Sequence, residues 1–184
     1  MSVVGTDGRG VRHARAARLA SVCVSVLMAF AARGAVAEAP DAGRKNWYND
    51  PFFALSDAIT ACPQPLGPLM TKAEADDDAH YRVERGTTCW LAHKCSKPNS
   101  YLYDADIAAA IRRHLQGDAM FAGTSIWITV QRRFVYAEGC VGAGFDEAEL
   151  ERRLSAVADV EQVFVRLTSD PHGTLPYKAL APAP

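Results

Sequence analysis

From Tyr103 to Thr168 the apolar residues switch between two periods, and the order of the switches restricts the fold more than anything else in the chain. Ile107, Ala110, Ile111, His114 and Leu115 fall at i, i+3, i+4, i+7 and i+8, one stripe of a helix over 105–116. Asp104 is placed to cap that helix, and Gly117 to end it. TSIWITV (124–130) and RFVYAEGCV (133–141) then alternate as strands do. Asp146 and Glu149 form a capping box ahead of a second stripe, Leu150, Leu154, Val157 and Ala158. After a turn at Asp159, VEQVFVRL (160–167) reads as a third strand. The expectation is an α+β fold of order α-β-β-α-β: a three-stranded sheet with two helices on one face, which buries both stripes.

The N-terminus predicts export. Arg9, Arg12, Arg15 and Arg18 precede an uncharged run from Leu19 to Ala32, and Ala35-Val36-Ala37 follows. Basic region, apolar run and small-residue site are the parts of a signal peptide covering 1–37, with cleavage after Ala37. The apolar run is 14 residues long, short of the roughly 20 that span a bilayer. No transmembrane span is therefore expected after cleavage, and the predicted location is periplasmic. Cys23 lies inside the apolar run after Val22 and does not form a lipidation site. Without the leader's five arginines and one aspartate, 15 basic and 20 acidic residues remain. That balance argues against a nucleic-acid partner.

Cys62, Cys89, Cys95 and Cys140 remain. An even number in an exported chain reads as two disulfides, with all three pairings open. Cys89, His93 and Cys95, with His80 nearby, do not have zinc-site spacing, so no metal is expected. Residues 38–103 read as a cysteine-containing extension, irregular and helical. PFFALSDAITA from Pro51 suggests a short helix with proline in its first turn. CPQPLGP (62–68) must turn or extend. Thr71 to Glu74 matches a capping box for a helix from Lys72 towards Arg85, stopped by Gly86. Residues 169–184, rich in proline, read as a flexible tail.

Residues 104–167 resemble the BON domain, a small module of bacterial envelope proteins, within a domain expected over 104–168. The resemblance rests on Asp104-Ala105-Asp106-Ile107 at the helix start. It continues with Val130, Val135, Ala137, Gly139 and Val141 in the hairpin and Asp159-Val160-Glu161-Gln162-Val163 at the closing strand. Three positions depart from the family pattern: Arg132-Arg133 replaces the usual Asp-Gly turn, Ala137 a leucine and Asp159 a glycine. The resemblance implies a non-enzymatic protein that associates with phospholipid headgroups in envelope maintenance or stress. The alternative is a protein-interaction module of an envelope or secretion assembly. It implies no cofactor and no catalytic residue. Gly139 is expected to allow a close approach of helix to strand.

Alternation along the strands sends Trp127, Phe134, Tyr136 and Phe164 to the face without helices, together with Cys140. Such a patch, flanked by Arg132 and Arg133 at the hairpin turn, is the candidate binding surface. It competes with a second reading, in which residues 38–103 fold over it. Cys140 then bridges to the extension, and Trp47, Phe52, Phe53 and Trp90 supply cover. The chain holds no nucleophile elbow, no H-E-x-x-H and no phosphate loop. Asp76-Asp77-Asp78 lacks calcium-loop spacing and reads as a solvated surface.

Overall fold

The structure, a computed structural model, describes residues 43–181. The expected leader and its cleavage site lie outside the described residues. In chain order the elements are β1 (Phe52–Asp57), α1 (Lys72–Glu84), α2 (Thr87–Leu91), α3 (Asp104–Leu115), β2 (Ser125–Gln131), β3 (Phe134–Cys140), α4 (Glu147–Ser155) and β4 (Gln162–Thr168). The sheet runs β1-β2-β3-β4. β1/β2 and β2/β3 are antiparallel, and β3/β4 is parallel, joined through α4. The fold is α+β, and the order α-β-β-α-β holds for 104–168. The sheet has four strands, however, not three.

The fourth strand comes from the extension. Residues 52–57, expected in a helix, pair with β2 instead. Phe53 and Leu55 point into the helix-covered core, while Phe52 and Ala54 share the opposite face. Four apolar residues in a row fit a strand or a helix turn equally well, and only a neighbour decides between them. Pro51 stands just before the strand, and its carbonyl accepts from the Val130 amide at 3.0 Å. A bulge interrupts the register between Ala54 and Ser56.

Ile126, Ile128, Val130, Val135 and Ala137 are fully buried against Ile107, Ile111 and Leu115 of α3 and Leu150 and Leu154 of α4. Full burial of one such aliphatic side chain is worth about 1.5–3 kcal/mol, so this layer dominates the stability. Gly139 does not serve helix approach. Its φ is +147°, and a Cβ there would lie 2.0 Å from the Ser125 carbonyl oxygen. The close neighbour is the backbone of β2.

α1 starts at the expected capping box. The Glu74 amide donates to Thr71 Oγ1 at 3.3 Å, and the Thr71 amide donates to Glu74 Oε2 at 2.7 Å. The helix runs on through Asp76-Asp77-Asp78 because Lys72 pairs with Asp76 and both Arg82 and Arg132 reach Asp78. Before α4 only one arm of the second box forms, Asp146 accepting from the Glu149 amide. Asp104 is not an N-cap. It is the first residue of α3, and its carboxylate points back to the β2–β3 turn.

The proline-rich tail is held as far as it is described. The Leu66 amide donates to the Lys178 carbonyl at 2.7 Å, and the Leu180 amide to the Gln64 carbonyl at 2.9 Å. Tyr177 is buried and its hydroxyl donates to the Pro63 carbonyl at 2.8 Å. Residues 62–68 and 177–180 thus hold each other through backbone bonds that no hydrophobic period announces.

Candidate binding surface

The face of the sheet without α3 and α4 carries Phe52, Thr129, Tyr136 and Phe164 in one cross-strand row and Ala54, Trp127, Glu138 and Arg166 in the next. Phe134 lies one row further, opposite Gln131. Every aromatic residue expected there is present: Trp127, Phe134, Tyr136 and Phe164, all half-buried. Tyr136 and Phe164 stack with centroids 5.0 Å apart, and Phe134 meets Phe164 edge-on at 5.7 Å. Arg85 lies over the Phe134 ring at 4.1 Å, and Arg166 over Tyr136 at 5.2 Å.

Part of this face is closed by the extension and the tail. Cys140 is bridged to Cys62, with Cα atoms 5.7 Å apart, which brings residues 62–70 over the β1 end. Gly67 sits so close to the Phe52 ring that a Cβ would lie 2.8 Å from it. The second bridge joins Cys89 to Cys95 and closes a short loop after α1. Both thiols of the cysteine–histidine group at 89–95 are thereby consumed. Of the four residues expected as cover, only Phe52 contributes, as a strand residue. Phe53 packs on the helix side under Arg112, and Trp47 and Trp90 remain exposed.

Arg132 and Arg133 form the β2–β3 turn with φ of +54° and +69°. Two positive values identify a type I′ turn, the hairpin geometry that Asn-Gly or Asp-Gly usually supplies. For side chains with a Cβ this conformation costs about 1–2 kcal/mol per residue. Asp104 offsets that cost by accepting both turn amides, at 2.7 and 2.8 Å. Burial pushes the Asp104 carboxyl up to about 6, against the two amides and nearby Arg82, which pull it down.

A buried ion cluster lies at the same end of the sheet. Asp50 receives both terminal nitrogens of Arg82, at 2.5 and 3.0 Å, and the Gln131 amide at 2.7 Å. Burial alone lowers the Arg82 pKa, but hydrogen bonding and charge from Asp50 outweigh it and raise the pKa overall. Asp78 links this pair to Arg132. Between α1 and β3 these residues border a hollow of about 410 Å³ lined by Asp78, Tyr81, Glu84, Arg85, Arg132 and Phe134. Its two guanidinium groups already have partners: Arg85 pairs with Glu161 at 2.5 Å, and Arg132 with Asp78. Glu138, further along the face, is buried. Desolvation raises its pKa while Arg166 at 3.2 Å opposes the rise.

Most of the exposed large apolar side chains are elsewhere. Tyr81, Val83, Trp90, Leu91, Tyr101 and Leu102 all fall within residues 81–102, with Val83 at 64%, Trp90 at 43% and Leu91 at 71% exposure. The segment is fixed by the Ser100 amide donating to the Arg85 carbonyl at 3.0 Å and by Asn99 donating to the Val83 carbonyl at 2.8 Å. Residues 85–103 contain Arg85, Lys94 and Lys97 and no acidic residue. The acid-free run was visible in the sequence. The exposure of its apolar side chains was not, because a cysteine-bounded loop gives no period from which to assign faces.

Among the described residues no helix is long and apolar enough to cross a membrane. The chain matches no known family model, no curated protein and no solved structure.

Proposed function

We propose that this protein is an exported, non-enzymatic BON-type protein of the bacterial envelope that associates with phospholipid surfaces through residues 81–102. The observation that carries the reading is the concentration of exposed Val83, Trp90, Leu91 and Leu102 in a segment whose only charges from 85 to 103 are basic. Exposed tryptophan and leucine side chains enter the headgroup region, and neighbouring lysines favour anionic lipid. The Cys89–Cys95 bridge restricts the 89–95 loop before contact, which reduces the entropy lost on binding. Lys94 supplies the free charge, since Lys97 is engaged by Asp106 at 2.5 Å. The aromatic sheet face contributes less, because Arg85, Arg132 and Arg166 are paired with Glu161, Asp78 and Glu138.

Liposome flotation tests this reading. The protein is expected to float with phosphatidylglycerol-containing vesicles, and Trp90→Ser/Leu91→Ser to float at least tenfold less, the loss of about 1.4 kcal/mol or more. Equal flotation of the two proteins would remove the proposal. The alternative, a protein-interaction module of an envelope assembly, is favoured by the hollow between α1 and β3, whose two guanidinium groups already have acidic partners. Absence of flotation by the unmodified protein would point there.

A further inference from the structure

The sheet has two edges, and they are built differently. An edge strand offers unpaired amides and carbonyls to any other chain, and proteins blunt such edges with proline, bulges or charge. β1 carries two of these devices: the bulge between Ala54 and Ser56, and Asp57 at its end. β4 carries no proline and no bulge, and its register with β3 is unbroken over all seven residues from Gln162 to Thr168. No strand pairs with its other side among the described residues.

The direction of its free groups follows from one bond. The Val141 amide donates to the Thr168 carbonyl at 2.9 Å, so Thr168 faces β3. By alternation the main-chain groups of Phe164 and Arg166 also serve β3; at the start of the strand the amide that donates to the Arg133 carbonyl is that of Glu161, at 2.9 Å. Those of Val163, Val165 and Leu167 point off the edge.

We infer that β4 pairs with β4 of a second copy of this chain, antiparallel about a two-fold axis at Val165, making one continuous eight-stranded sheet. Self-complementarity of charge and shape selects this occupant. Centred on Val165, all seven residues find partners on matching faces. Val163 meets Leu167 on the helix side, Phe164 meets Arg166 on the other, and Gln162 meets Thr168. Arg166, the only charge in the strand, meets an aromatic ring, the kind of contact it already makes within its own chain with Tyr136 and, at 5.7 Å, Phe164. Moving the axis to Arg166 would set two arginines opposite each other, which destabilises a pair. Moving it to Phe164 would set Glu161 against Leu167. A shift of one residue in the register would put helix-side residues opposite residues of the other face.

Sedimentation over a dilution series, with amide exchange by NMR on the disulfide-intact protein, tests the inference. A dimer is expected at the higher concentrations. In it the amides of Val163, Val165 and Leu167 exchange slowly, and on dilution they alone become fast, while those of Phe164 and Arg166 stay protected. Val165→Pro removes one edge amide and is expected to leave a monomer. Because Val165 also packs on the core, a surface pair serves as control. Gln162→Lys/Thr168→Lys sets like charges opposite each other twice and should weaken the dimer about three- to tenfold. Gln162→Lys/Thr168→Glu should recover it. A monomer at every concentration would overturn the inference, as would a dimer in which the Val165 amide exchanges freely or one that ignores both lysine substitutions. Capture of an extended peptide by a monomer would also overturn it.

Discussion

The two faces of the sheet are closed by different physics. On the helix face, Ile126, Ile128, Val130, Val135 and Ala137 meet α3 and α4 in a layer of aliphatic side chains. On the other face, closure comes from the Cys62–Cys140 bridge, from guanidinium groups over Phe134 and Tyr136, and from two irregular segments bonded to each other. The first kind of closure needs only apolar residues at the right period. The second needs particular residues far apart in the chain to meet, and it leaves hollows, such as the one between α1 and β3. A face closed in this way can be opened by a single chemical change, whereas the helix face can only be weakened atom by atom.

Removing the covalent clasp should separate the faces most sharply. Cys62→Ala/Cys140→Ala releases a bridge between positions 78 apart, and the chain-entropy relation gives a loss of about 4.5 kcal/mol. Cys89→Ala/Cys95→Ala, spanning 6 positions, should lose about 2 kcal/mol. Urea unfolding measures both, and equal losses would mean that the long bridge does not hold the extension to the sheet. Ile128→Ala on the helix face should lose about 3.5 kcal/mol by leaving a cavity in a layer that cannot collapse. A loss under about 1 kcal/mol would mean that this face is no better packed than its opposite.

A smaller effect comes from the hairpin end, where Asp104 joins α3 to the turn. Its folded pKa is raised from 3.8 to about 6. Between those values the folded protein keeps a proton that the unfolded chain has released. The contribution of this group to stability is therefore greatest below pH 3.8 and falls as pH rises, by up to about 3 kcal/mol once pH passes 6. Asp104→Asn should flatten that part of the stability–pH curve while losing one of the two turn contacts. An unchanged slope in the variant, followed by urea midpoints across the same pH window, would show that another group carries the dependence.

The legibility of the sequence follows the same division. α3, α4 and the three strands of 104–168 could be read because each repeats its apolar period over enough positions to fix a face. The helix face of the core was legible for that reason, down to Ile126, Ile128 and Val130. β1 was not: Phe52 to Leu55 is a short apolar run with no alternation, and its strand state comes from pairing with Trp127, Ile128 and Thr129. Asp104 reads as a cap because it stands at a helix start, yet its acceptors' partners are Arg132 and Arg133, far along the chain. The Asp50–Arg82 pair had no local signal at all, since each residue alone looks like a solvated charge. That Cys140 bridges to the extension, if all four cysteines pair within the chain, follows from the other three lying there. The choice of Cys62 over Cys89 and Cys95 rests on where β1 places the following turn.

Non-reducing peptide mapping of the protein from a periplasmic extract tests the central claim, that the extension and the 104–168 unit close one sheet together in an exported protein. The expected map starts at Glu38 and contains a Cys62–Cys140 peptide and a Cys89–Cys95 peptide. Free Cys140, a bridge from Cys140 to Cys89 or Cys95, or a chain that still begins at Met1 would contradict it.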